Sequence, residues 1–429
     1  MTSPATAIAE PDVVVVGAGL AGLCCARRLT QTRTPFLLLE ASDAVGGRVR
    51  TDLVDGFLLD RGFQIFLTSY PEARRVLDYG PLKLKPFYRG AWVRYAGRFH
   101  RLADPRKHPL TALRSLASPI GTVRDKLRLV DLLRRVLSGS IADQWQSRER
   151  LTLDFLRLDC GFSDAMIERF FRPFFGGVFL ESSLHTSSRM FRFVLRMFAL
   201  GQAVVPASGM GAIPEQIAAR LPADSLRLNT PVERVEPGRV YLTTGETIAC
   251  RAVVVATEEP VAARLLGESV VPAPPANGVT CVYFAANASP VAEPVLLLDG
   301  EGRGPVNNLV VMSNAAPSYA PPGQALISAS ILGLPPCSDA ELVQRIQAQL
   351  TEWFGSTVQS WRHLRTYRIA HALPARPAGT LVQPQRPVRI TPGLYVCGDH
   401  RDNPSIDGAM TSGFRAAQAL LADMDARLI

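Results

Sequence analysis

Three glycines with the spacing of a dinucleotide-binding turn stand near the start of the sequence, in Gly17-Ala18-Gly19-Leu20-Ala21-Gly22. In such a turn the first glycine permits the bend and the second lets the backbone approach a pyrophosphate, while the third allows close packing of helix on strand. Unpaired N–H groups at the start of the helix attract phosphate oxygens. The pattern predicts that Gly17, Gly19, Leu20, Ala21 and Gly22 bind a dinucleotide.

An acidic residue roughly 20 residues after the glycine turn is the second part of this fingerprint. Glu40 stands there, followed by Ala41, and its carboxylate can accept hydrogen bonds from a ribose diol. Gly46, Gly47 and Arg48 follow and place a guanidinium beside the same nucleotide, where it can pair with pyrophosphate. A solvated turn arginine is the alternative interpretation of Arg48. The bound dinucleotide can be FAD or, as the alternative, NAD.

Apolar runs surround these residues in the order of a βαβ unit. Val13–Val16 and Phe36–Leu39 predict buried strands, with a helical pattern over 22–29 between them. The turns Asp55-Gly56 and Ala96-Gly97 predict hairpins over 49–59 and 91–102. Further strands are predicted at 240–243, 253–256, 280–284, 295–298, 309–312, 325–332 and 394–399, and a helix over 339–354.

Composition favours a large folded protein, since hydrophobic residues make up 47% and charged residues 20% of the 429 residues. The net charge of +9 favours anionic ligands or an anionic membrane surface, because no nucleic-acid-binding signature accompanies it. Seven scattered cysteines and the absence of a signal peptide predict a cytoplasmic protein, in peripheral contact with a membrane at most. The six histidines have no metal-ligand spacing, and we assign no metal.

Several motifs together resemble the superfamily of flavin amine oxidases, protoporphyrinogen oxidases and phytoene desaturases. They are GAGLAGL, the acidic strand end, GGRVRT and GFLLDRG near the start, PVERV and VVVAT in the centre, and YVCGD with DGAMTSG near the end. The resemblance implies an α/β fold, with a Rossmann-type (GR2-like) FAD-binding domain and an inserted α+β substrate domain. We expect 1–70, 201–272 and 385–429 to form the FAD-binding domain, and 71–200 and 273–384 to form the substrate-binding domain.

The resemblance also assigns further residues to non-covalently bound FAD. Asp60, Gly62 and Gln64 would lie on the chain that passes the isoalloxazine, and Val232 would meet adenine through its backbone. Asp399 would face the ribityl or pyrophosphate end. The helix that begins near Gly408 would point N–H groups at the flavin, which stabilises negative charge on reduced flavin. The additional cofactor-binding residues on these grounds are Gly62, Gln64, Val232, Gly398, Asp399, Gly408, Ala409 and Met410.

Two departures from the amine oxidases disfavour amine oxidation. The nearest equivalent of their flavin-facing lysine is Thr280, and the stretch 404–407 has no aromatic residue for an amine cage. The insert, with the aromatic run 170–179 and the segment 187–193, looks like relatives of phytoene desaturase and carotenoid isomerase. Its phenylalanines could line a tunnel for a long polyene, although ordinary helix core is the more frequent role of any one of them.

The segment 123–137 alternates apolar residues with basic ones at helical spacing. It could lie on an anionic bilayer, but a helix packed on its own domain is the more frequent outcome.

These observations predict an FAD-dependent oxidoreductase that transfers a hydride from an apolar small-molecule substrate to flavin N5, with catalytic residues and oligomeric state undetermined. The alternatives are a polyene isomerase that uses reduced FAD, a flavin amine or protoporphyrinogen oxidase, and a flavin-binding protein without turnover.

Overall fold

The computed structural model describes residues 11–103, 118–269, 271, 276–381 and 385–429. Its strands are β1 Val13–Val16, β2 Phe36–Leu39, β3 Thr51–Val54, β4 Phe57–Asp60, β5 Phe66–Leu67, β6 Lys85–Pro86, β7 Gly90–Tyr95, β8 Arg98–Ala103, β9 Ala203–Val205, β10 Leu226–Arg227, β11 Val232–Glu236, β12 Arg239–Leu242, β13 Thr247–Ala249, β14 Ala252–Val255, β15 Ala276–Ala286, β16 Leu296–Asp299, β17 Asn308–Val311, β18 Ala325–Leu332, β19 Arg362–Pro374, β20 Arg389–Thr391 and β21 Leu394–Val396.

The two longest α-helices of the described chain, with 16 and 20 residues, lie near its end. They are α1 Leu20–Gln31, α2 Pro71–Val76, α3 Tyr79–Leu82, α4 Val123–Leu137, α5 Ile141–Gln146, α6 Thr152–Asp154, α7 Asp164–Met166, α8 Arg172–Phe179, α9 Ser188–Leu200, α10 Ala212–Ala218, α11 Glu259–Leu266, α12 Met312–Ala315, α13 Asp339–Phe354 and α14 Ile406–Asp425. Two π-helical turns, Phe155–Asp159 and Ile167–Phe171, precede α7 and α8.

The first sheet has the order β10-β2-β1-β14-β21-β20 and is parallel except for the edge strand β20. Its central strands are fully buried because apolar side chains cover both faces, as is usual in parallel sheets. The turns that follow β1, β2 and β21 meet at the carboxyl edge, where ligands bind in open α/β sheets. The predicted α/β class with a Rossmann-type sheet is confirmed.

The second large sheet has the order β19-β15-β18-β17-β16-β7-β8 and is antiparallel apart from the pair β16 and β7. The hairpin of β7 and β8, predicted over 91–102, therefore joins strands that lie far later in the chain. A small sheet, β5-β9-β6, connects the segments on either side of the helices α4 to α9. Within the described residues, no helix has the length and apolar character required to cross a membrane.

Candidate functional site

A continuous cleft of about 1070 Å³ begins at the carboxyl edge of the first sheet and extends between the second sheet and the helices of the insert. Most of the residues predicted to bind the cofactor border it: Gly17, Gly19, Leu20, Ala21, Glu40, Ala41, Gly46, Gly47, Arg48, Gly62, Gln64, Val232, Gly398, Asp399 and Ala409. The fold thus brings together residues from both ends of the sequence.

Three predicted residues do not border the cleft. Gly22 packs against the backbone of Gly17 and leaves no room for a side chain. Met410 is fully buried in the core. Gly408 packs against the backbone of Asn403, and its N–H donates at 3.0 Å to the hydroxyl of Ser405, the N-cap of α14, instead of pointing at a ligand.

The glycine turn leaves an open surface for a ligand. Gly17 has a positive φ of 104°, and its N–H donates to the Leu39 carbonyl at 2.7 Å, which closes the turn on β2. A methyl group added at Gly19 would meet no atom within 4 Å. The space beside Gly19 at the start of α1 is therefore free, as the approach of a pyrophosphate requires.

Glu40 is held in a fixed orientation at the end of β2. Its Oε2 accepts a hydrogen bond from the Ala18 N–H at 2.8 Å, and its Oε1 accepts from the Ser42 N–H and hydroxyl at 2.9 and 2.6 Å. The carboxylate is mostly buried but borders the cleft. A carboxylate oxygen can accept more than one hydrogen bond, so Glu40 retains capacity for a ribose hydroxyl.

Arg48 forms an ion pair across the cleft with Asp399. Its Nη2 lies 2.8 Å from Asp399 Oδ2, and its Nη1 donates to the Ala372 carbonyl at 2.8 Å. Burial opposes the charge, but the facing Asp399 carboxylate holds the pKa of Arg48 above its usual value. The other oxygen, Asp399 Oδ1, is buried and has no hydrogen-bond partner in the described chain. This free acceptor, together with the open cradle at Gly19, fits a bound FAD.

A second ion pair lies directly behind Asp399. Arg376 and Glu259 are both almost fully buried, with 3.2 Å between Nη2 and Oε1, and Arg376 also donates to the His400 carbonyl. Burial raises the pKa of Glu259 despite this pairing. Burial lowers the pKa of the His400 imidazole to about 3, so His400 is neutral at pH 7. The ion pair joins the segment after β19 to α11, and the hydrogen bond to the His400 carbonyl fixes that segment to the turn that carries Asp399.

The half of the cleft farther from the glycine turn has mainly apolar walls. They include Phe63, Ile65, Phe87, Leu133, Phe170, Phe174, Val178, Leu195, Phe198, Val310, Ile369 and Leu373. Phe174 packs on Phe170 and Phe198, both with ring centroids 5.5 Å away. Phe171 and Phe175 are almost fully buried and pack on Phe191. The aromatic run of the insert therefore supplies both helix core and cavity wall.

On β15 the side chain that borders the cleft is Val279, and not Thr280. Thr280 is fully buried, and its hydroxyl donates to the Gly333 carbonyl at 2.9 Å. Successive side chains of a strand point to opposite faces, so the expected equivalence of Thr280 with a flavin-facing position was wrong by one residue. Pro404, Ser405 and Ile406 border the cleft at the start of α14, and none of them is aromatic.

Asp60, expected beside the isoalloxazine, is fully buried below the cleft. It accepts hydrogen bonds from the Thr51 hydroxyl, the Met210 N–H and the Tyr319 hydroxyl, at 2.6, 2.9 and 2.9 Å. Burial raises the pKa of Asp60 to about 6, although these donors favour the carboxylate. Asp60 joins three segments of the chain that support Gly62 and Gln64.

Sequence reasoning missed several charged residues that border the cleft, namely Arg61, Arg89, Lys126, Glu258 and Arg264. It also missed β19, whose Ile369, Ala372 and Leu373 border the cleft. The charged residues could not be predicted as part of the site, because isolated charged residues belong to no sequence motif. The strand lacks alternation of apolar and polar residues, because many of its side chains are exposed.

Comparisons with known proteins agree with this architecture. The family model of flavin containing amine oxidoreductases matches residues 20–421. The chloroplastic protoporphyrinogen oxidase of Nicotiana tabacum is 24% identical, over 82% of this chain and 73% of that protein. The putrescine oxidase of Kocuria rosea is 29% identical, over 53% of this chain and 49% of that protein, which is about half its length.

A solved structure of an oxidoreductase from Methanosarcina mazei has the same fold. Its TM-score is 0.73 at 18% identity, with 95% of this chain and 99% of that chain covered. The family match spans nearly the whole chain. It includes the predicted cofactor-binding residues except Gly17 and Gly19, which directly precede it. The chain belongs to the family of flavin-containing amine oxidoreductases and is an FAD-dependent oxidoreductase.

Proposed function

We propose that the protein oxidises a C–H bond of an elongated apolar substrate, such as a polyene, in the manner of the phytoene desaturases. The observation that carries this proposal is the apolar, aromatic cavity that continues from the nucleotide-binding cleft. FAD, when bound, supplies the acceptor for a hydride at N5. The chain's own residues bind and orient the substrate and exclude water.

The residues nearest to the expected flavin position argue against simple amines as substrates. Val279 borders the cleft on β15 and, unlike the flavin-facing lysine of the amine oxidases, supplies no ammonium group. Acidic side chains that border the cleft, Glu40, Glu258 and Asp399, belong to its nucleotide-binding half. Among the described residues, a protonated amine would therefore meet apolar and aromatic surface in the other half and no carboxylate that could pair with it.

We extend the proposal to the domains. Residues 1–70, 201–272 and 385–429 would form the FAD-binding domain, and 71–200 and 273–384 the substrate-binding domain. The strands of the first sheet lie in the first group of segments and those of the second large sheet in the other group, which supports this division. The boundaries at 272 and 384, and residues 1–10, lie outside the described residues.

The same proposal includes a peripheral contact with an anionic membrane through α4. Leu132 and Val136 of this helix are buried, whereas Val123, Leu127 and Val130 are 55%, 65% and 53% exposed. Leu127 and Val130 also border the cavity, so the exposed stripe lies at its mouth. Basic residues flank the stripe: Arg124, Lys126, Arg128, Arg134 and Arg135. An apolar stripe between basic side chains is typical of helices that lie on anionic bilayers.

Anaerobic reduction of the holoenzyme tests the substrate class. We expect a long polyene to bleach the flavin absorbance in single-turnover mixing, while benzylamine and putrescine do so at least about 100-fold more slowly, because they bury little apolar surface. Oxygen or quinone consumption in step with product distinguishes oxidation from isomerisation. Faster reduction by the amines than by any polyene would overturn the proposal.

Flotation with lipid vesicles tests the contact of α4. The double variant Leu127→Gln/Val130→Gln should lose at least about tenfold in binding to vesicles that contain phosphatidylserine, because two apolar side chains no longer enter the bilayer. Leu53→Gln is the matched control, since Leu53 is 72% exposed on a distant hairpin. Equal binding of the double variant and the control would contradict the contact.

A further inference from the structure

Within the described residues, Arg89 stands in the cavity wall without a hydrogen-bond or ion-pair partner. It lies between β6 and β7, borders the cleft together with Leu102 and Leu296, and is half-buried. Its Nε is shielded from solvent and has no hydrogen-bond partner, and within the described chain the guanidinium has no ion pair either. A guanidinium nitrogen that is shielded from water without an acceptor is costly, so its retention calls for an explanation.

The other basic residues of the cleft each have an acceptor. Arg48 pairs with Asp399, and Arg61 pairs with Asp52 at 3.0 Å. Lys126 donates to the Ser118 carbonyl at 2.9 Å, and Arg264 donates to the Glu233 carbonyl at 3.3 Å. Arg89 is thus the exception among the basic residues that border the described cleft.

The surroundings of Arg89 place it in the substrate half. Phe87, two positions earlier in the chain, packs edge-on against Phe63 with 6.3 Å between ring centroids. Phe63 lies between Gly62 and Gln64, which border the cleft beside the expected flavin position. An anion held at Arg89 would therefore position the rest of a bound molecule relative to that wall.

We propose that the substrate carries a carboxylate, which accepts hydrogen bonds from Arg89 while its apolar body fills the cavity. This inference rests on the proposed oxidation of an elongated apolar substrate and names its class more narrowly, as an amphipathic acid. A guanidinium is suited to this role because its planar donors match the two oxygens of a carboxylate. Arg89 is then a specificity-determining residue.

Binding of all-trans-retinoic acid and its methyl ester to the holoenzyme tests this role, with both followed by the flavin absorbance at pH 8. We expect the acid to bind about 10- to 100-fold more tightly, as a hydrogen bond to a charged group provides. Arg89→Met should remove the preference, and Arg89→Lys should keep part of it. Arg345→Met, on the exposed surface of α13, is the matched control and should keep all of it.

The outcomes separate this inference from the proposed function. Equal affinities of the wild-type protein for acid and ester would overturn the role of Arg89 and leave the apolar cavity supported. A preference for the acid that persists in Arg89→Met would also overturn it. Failure of the wild type to bind either compound would overturn the proposed apolar site itself. Flavin content and melting temperature of each variant show that the comparison concerns folded holoenzyme.

Discussion

Gly22→Ala is expected to prevent the accumulation of stable, folded protein. The added methyl group would overlap the Gly17 carbonyl oxygen and press against the Ala256 side chain, and both are parts of the core beneath the turn. Neither atom belongs to a flexible side chain that could move aside. Overpacking of a rigid core costs about 1 to 3 kcal/mol, and more where the overlap is with backbone that cannot move, which is a large share of the stability of an ordinary domain.

Gly19→Ala is the matched variant with the opposite expected outcome. Nothing lies within 4 Å of the added methyl group, and the backbone at Gly19, with φ −71°, is open to alanine. The apoprotein should therefore fold with an unchanged or slightly higher melting temperature. FAD affinity should fall by about 100-fold or more, because the methyl group occupies the space for the pyrophosphate.

Two measurements check this pair, the melting temperature of each apoprotein and FAD binding by titration. A stable Gly22→Ala protein with the wild-type melting temperature would contradict the packing argument. Normal FAD affinity in Gly19→Ala would contradict the assignment of the glycine turn to the pyrophosphate. The pair thus separates the two roles that one sequence motif combines.

The sequence predicts the site best where local pattern and burial coincide. The predicted bounds of β1 and β2 agree with the structure, because buried parallel strands appear as short apolar runs between turn residues. The glycine turn and Glu40 follow those runs, so their positions could be predicted without knowledge of the rest of the fold. The hairpin turns predicted at Asp55 and Ala96 agree with the structure. Both residues adopt the positive φ that such turns require.

Prediction fails where a residue's role depends on distant parts of the chain. Pairing with β15 over most of its length makes β19 a strand, although its own side chains are largely exposed and often basic. The distinction between Val279 and Thr280 requires knowledge of which face of β15 meets the cleft. The isolation of Arg89 is a property of its neighbours in space, and the sequence around it carries no sign of it.

Arg48→Met is expected to lower FAD affinity by about 100-fold. Arg48 is the basic residue that meets Asp399 at the cleft, with its side chain 31% exposed and that of Asp399 only 6% exposed. Methionine keeps the length of the side chain but removes the charge that can pair with a pyrophosphate. It also leaves Asp399 without its ion pair, a loss that destabilises the apoprotein by about 2 kcal/mol after allowance for solvent at Arg48.

Three further variants separate the two effects of Arg48→Met. Arg48→Lys keeps a charge but cannot reach both Asp399 and the Ala372 carbonyl, so it should bind FAD with intermediate affinity. Arg48→Met/Asp399→Asn should recover the stability of the apoprotein without recovering FAD affinity, because the unpaired carboxylate is gone but the cation is still missing. Arg50→Met is the control, since Arg50 pairs with the exposed Asp43 outside the cleft and should leave FAD affinity within about threefold. Wild-type FAD affinity in Arg48→Met, measured by titration of the apoprotein, would show that Arg48 serves the fold and not the cofactor.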